Sequence, residues 1–86
     1  MVDMDHVNAS NPRDFLNATI RNFEEMMDEV DKGLSLARER QITFVKTGQI
    51  NTKPYEATKE LIEDLEVEMD MYRKKLTELR KERAAL

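Results

Sequence analysis

Apolar residues recur through the first half of the chain at Leu16, Ile20, Phe23, Met27, Val30, Leu34, Ala37 and Phe44, with Gln41 filling the one polar place in a series of alternating four- and three-residue steps. At 3.6 residues per turn such steps return to the same stripe of an α-helix, so the pattern predicts one long amphipathic helix. A second series, Tyr55, Thr58, Ile62, Leu65, Met69, Tyr72, Leu76, Leu79, Arg83 and Leu86, repeats the rule to the last residue. Each series is a heptad seam, the pattern of helices that pack side by side.

Local signals bound the two runs. Asn11 can cap a helix that opens on Pro12, and Asp14 falls in the first turn, where a carboxylate answers free amides and the helix dipole. Lys46, Thr47 and Gly48 form a stop signal, a cation in the last turn followed by a residue tolerant of the left-handed conformation. Thr52 or Lys53 can cap the second helix, with Pro54 in its first turn. The expected organisation is a polar, non-periodic and disordered arm over 1–10, then a helical hairpin over 11–86 with a helix at 12–46, a turn at 47–52 and a helix at 53–86.

Two seams joined by so short a turn must run antiparallel, and an antiparallel pair matches positions whose numbers have a constant sum. Phe44 with Tyr55, Ala37 with Ile62, Leu34 with Leu65, Val30 with Met69, Met27 with Tyr72, Phe23 with Leu76 and Ile20 with Leu79 all sum to 99. Gln41 and Thr58 give the same sum, so the internal polar layer sets polar against polar and offers a device for fixing register. The charges point the same way: the acidic block Glu24, Glu25, Asp28, Glu29 and Asp31 is expected near Arg73, Lys74 and Lys75. Nearer the turn, Arg38, Arg40 and Lys46 are expected to approach Glu56, Glu60, Glu63 and Glu66. Such exposed pairs are worth at most about 1 kcal/mol each and select orientation more than they add stability. The fold class is therefore all-α, an antiparallel coiled-coil hairpin.

Apolar residues off the seams change the picture. Leu36, Ile42, Val45 and Leu61 gather toward the turn, with Phe15, Met26, Val67 and Met71 elsewhere, and one seam gives a lone hairpin little core. Dimerisation into a four-helix bundle, or docking on another protein, is expected to cover them. Gly33 stands in the middle of the first helix beside the seam, where it costs about 1 kcal/mol relative to Ala. Close helix approach, a kink and simple tolerance are all open readings of it.

Composition narrows the chemistry. The 86 residues are 37% charged and 6% aromatic with two glycines and two prolines, a balance that favours long helices and leaves little interior for an enzyme cleft. With no Cys there is no disulfide framework or thiolate metal site, and His6 is the sole histidine. The acidic stretch lacks the Glu-x-x-His pairs of di-iron bundles, and the isolated glycines form no phosphate loop. No cofactor, metal or catalytic residue is expected. The net charge of -4 speaks against general nucleic-acid coating. The start of the chain is acidic, without the basic-then-apolar order of a signal peptide, and no apolar run reaches membrane length, so a cytoplasmic location is expected.

The leading expectation is a noncatalytic protein-protein interaction module: an adaptor, chaperone or inhibitor of the phage, plasmid or secretion-system kind. Its partner is itself, as a homodimer, or another protein, with Leu36, Ile42, Val45, Leu61, Val67 and Met71 as the binding surface. The alternative is a small nucleic-acid-binding regulator that uses the C-terminal basic tract Arg73, Lys74, Lys75, Arg80, Lys81 and Arg83. Against it, that tract also suits a solvated face that answers the acids of the first helix and its own C-terminal dipole.

Overall fold

A computed structural model describes residues 11–86; the arm expected over 1–10, with His6, lies outside the described residues. The chain forms two helices, α1 over Pro12–Lys46 and α2 over Lys53–Ala85, laid antiparallel as a hairpin. Asn11 caps α1 reciprocally: its side-chain oxygen accepts from the Asp14 amide at 3.4 Å while its Nδ2 donates to the Asp14 carboxylate at 2.9 Å. This serves one of the orphan amides of the first turn and holds a negative charge at the positive end of the helix dipole.

The turn is built by two further caps. At the end of α1 the Gln49 amide reaches back to the Phe44 carbonyl (2.8 Å) and the Gly48 amide to Val45 (3.2 Å), the paired bonds of a Schellman ending. This geometry needs a left-handed residue, and Gly48 supplies it at φ 72°. Thr52 then opens α2, accepting from the Tyr55 amide at 3.3 Å while its own hydroxyl donates to the Gln49 carbonyl at 2.8 Å. One side chain thus ties the end of the turn to its beginning, which fixes the angle at which α2 departs.

The core is a single seam in which the residues matched by the sum of 99 pack together. Val30, Leu34, Ala37, Ile62 and Met69 form one buried cluster with Met27, Leu65 and Tyr72 against it; Ile20, Leu76 and Leu79 form another, bordered by Leu16 and Phe23. Edge-to-face rings brace the seam, Phe44 on Tyr55 at 6.3 Å beside the turn and Phe23 on Tyr72, diagonal to the pairing by 99, at 5.7 Å further along. At the open end Arg83 occupies a seam position, and its guanidinium reaches out of it to the Asn17 side chain at 3.0 Å, so the stem is apolar cover and the charge stays wet.

Two helices make a ribbon one helix thick, and the molecule measures 58 × 29 × 15 Å. Among the described residues no large side chain is completely sealed from water, because the seam borders solvent along its edges. The polar layer does not bridge the helices. Thr58 is buried, but its hydroxyl donates to the Pro54 carbonyl of its own helix at 2.9 Å, and among the described residues no hydrogen bond joins it to Gln41. Register rests on the apolar layers and the ring pairs instead. Among the described residues no helix is long and apolar enough to cross a membrane.

Candidate interaction surface

Each helical residue turns the chain by about 100°, so residues that follow a seam position fall on one flank of the ribbon and residues that precede one fall on the other. The first flank is a charged zipper. Glu24 meets Arg80 at 2.8 Å and Arg38 meets Glu66 at 2.9 Å, each directly after a seam residue of its helix. Between these bridges runs an open groove lined by Asp28, Asp31 and Arg73 over Met27, Met69 and Leu76.

The broader charge expectation is corrected here. Lys74 binds Asp70 at 3.1 Å, Arg73 lies 3.9 Å from the same carboxylate, and Lys75 lies 3.9 Å from Glu78, all within α2 rather than across to the acidic block. Consecutive residues fan around a helix, so of these three only Arg73 follows a seam position and faces α1. In the same way Arg40 and Lys46 do not share the flank on which Arg38 finds Glu66. Within the acidic block, Asp28 and Glu29 hold Lys32 at 3.3 and 3.8 Å. The hydrogen bond and charge of Asp28, then the charge of Glu29, raise the Lys32 ammonium above its ordinary 10.5.

The six residues expected to form an apolar surface are all exposed, and the structure divides them. Leu36, Leu61 and Met71 precede seam residues and share the second flank; Ile42 and Val45 follow seam residues and lie on the charged flank near the turn; Val67 points away from both. Met26 belongs with the first three, since it precedes Met27 and is itself exposed. Gly33 precedes Leu34 and lies on this flank between Met26 and Leu36. Leu36 and Met71 keep 63% and 59% of their surface in water, more than ordinary packing along a hairpin requires.

The chain matches no family model, no curated protein and no solved structure. The surface must therefore speak through its own chemistry. Among the described residues no group of three or more His, Cys, Asp or Glu is arranged to hold a metal, and the depressions on this thin ribbon are open grooves.

The basic tract does not form one stripe. Arg73 and Arg80 face the charged flank, Lys75 the opposite one, Lys74 and Lys81 the back of α2, and Arg83 the seam. Arg80 and Arg83 are also engaged with α1 through Glu24 and Asn17. Linear counting of cations missed this dispersal. The signal that was available is the helical fan: three consecutive cations at 73–75 span about 200° of helix surface.

Proposed function

We propose that this chain is a noncatalytic protein-binding module, an adaptor, chaperone or inhibitor acting in the cytoplasm, that works through an apolar flank of its hairpin and pairs with itself. The observation that carries the reading is the exposure of Leu36, Leu61 and Met71 together on one flank of a ribbon whose core, among the described residues, is a single seam. A large exposed side chain in isolation is ordinary, but three on one face of so thin a molecule are a surface waiting for cover. Ribbons of this kind gain a second buried face when they stack, which is the physical basis of helix bundles.

The test is substitution of the flank. A Leu36→Glu, Leu61→Glu, Met71→Glu variant should keep its helical circular dichroism and lose association, whether with a second copy or with an identified protein partner. Ile42→Gln with Val45→Gln probes the charged flank in the same assay. Association that survives the triple change and disappears with the Ile42 and Val45 pair would move the surface to that side. Association that survives both would reject an apolar flank as its cause.

A further inference from the structure

Gly33 is expensive where it stands and the hairpin does not need it. Glycine in the middle of a helix costs about 1 kcal/mol relative to alanine. Its backbone is not in the left-handed region, and a Cβ built there would meet only the Leu65 side chain at an ordinary 3.5 Å. Nothing among the described residues therefore asks for a missing side chain at position 33, whereas Gly48 is required by its φ of 72°. Gly33 is half-buried at the edge of the seam, one turn from the exposed Leu36 on the same flank.

The stripe of α1 that contains this glycine is a second four-and-three series beside the seam. It carries Phe15, Met26, Gly33 and Leu36, and Glu29 and Arg40 are its only charges. Set against a second copy of itself running antiparallel, with the two-fold axis between residues 34 and 35, the stripe pairs positions whose numbers sum to 69. Leu36 then faces Gly33 of the other copy, a knob over a notch, and Glu29 faces Arg40, each contact made twice by symmetry. Within its own helix Arg40 has Leu36, Ala37, Thr43 and Phe44 at three and four residues' distance, none of them acidic. Glu29 has only the exposed Lys32 at 3.8 Å. Across the same axis, level with the point between residues 64 and 65 of α2, the corresponding stripe of α2 sets the apolar Leu61 against the charged Glu68, so the complementary contacts are those of α1.

We propose that the partner seated on this flank is a second copy of the chain, docked α1 against α1 in antiparallel register with Leu36 over Gly33 and Glu29 against Arg40. The proposal rests on the reading of the flank as a protein-binding surface and adds its occupant and register.

The test is a charge-swap cycle read by sedimentation equilibrium on the full chain. Glu29→Arg alone and Arg40→Glu alone each set like charges face to face twice per dimer and should weaken dimerisation about tenfold or more. Together they restore the pairing in reversed order and should return dissociation to within about threefold of wild type. Circular dichroism at high dilution serves as control, since the exposed sites leave the hairpin itself intact. A wild-type dimer indifferent to either single change, or a double variant no tighter than the singles, overturns this register while leaving an apolar flank in play. A wild-type chain that stays monomeric at every concentration overturns the second copy as occupant, and the flank then belongs to a different protein.

Discussion

The two flanks of the ribbon differ in how far the hairpin satisfies them. On the charged flank Glu24 with Arg80 and Arg38 with Glu66 close across the seam, and the acids between them face Arg73; its charges are largely answered within one chain, with Ile42 and Val45 left exposed near the turn. On the opposite flank Leu36, Leu61, Met26 and Met71 are exposed, Gly33 gives up a side chain that the hairpin has room for, and Arg40 has no acid at helical spacing. Side chains that complete one another inside the fold report on folding. Side chains that complete nothing inside it report on what lies outside, and four of them, Met26, Leu36, Leu61 and Met71, share one side.

The comparison breaks most sharply at Leu36. Leu36→Glu with Leu61→Glu should abolish self-association measured by sedimentation while leaving the thermal midpoint of the dilute hairpin nearly unchanged, since surface substitutions usually move stability by less than about 0.5 kcal/mol. A variant that unfolds instead would place these residues in the core, contrary to their exposure. The glycines sharpen the contrast because their substitutions should act with opposite sign. Gly48→Ala forces a Cβ into a left-handed backbone and should cost the hairpin about 1 kcal/mol or more. Gly33→Ala should stabilise the dilute hairpin by about 0.5 to 1 kcal/mol in urea denaturation and at the same time weaken the dimer. A Gly33→Ala protein that loses hairpin stability would show that the notch serves the fold after all.

On the charged flank effects should be small. Glu24→Gln breaks the bridge to Arg80, a pair half open to solvent, and should cost about 0.2 to 1 kcal/mol, less at high salt. Smaller still is the contribution of Lys32. Its folded pKa is raised above 10.5, so its ion pair stabilises fully below that value and is lost as the pH climbs through the higher folded value. Thermal midpoints of wild type and Lys32→Met should therefore converge above pH 10.5 and differ slightly at neutral pH; a gap that widens on the alkaline side would contradict the assignment.

What the sequence made legible follows from how local each signal is. The seams could be read because four-and-three spacing is a property of the helix itself, and their antiparallel match needed only the constant sum that Phe44 with Tyr55 obeys. Caps were equally readable: Asn11, Gly48 and Thr52 act on amides and carbonyls within a few residues. Charge partners were legible only in part: Arg38 does meet Glu66, but Lys74 and Lys75 looked close to the acidic block when counted along the chain and point elsewhere once the helix turns. The polar layer failed for a related reason, since a threonine hydroxyl can return to its own helix, as Thr58 does to Pro54, at no cost in reach. The six apolar candidates were visible one by one. Their division between flanks needed the seam as a reference direction, and the second series through Gly33 carries the same spacing signal, hidden beneath the stronger one.

The most direct test of the account is the mass of the unmodified chain in solution, measured by light scattering behind size-exclusion chromatography over a range of concentrations. The account predicts a concentration-dependent rise from the 10.1 kDa of one chain toward twice that value, with the rise removed by Leu36→Glu. A mass that stays at one chain throughout, or a dimer untouched by Leu36→Glu, would contradict it.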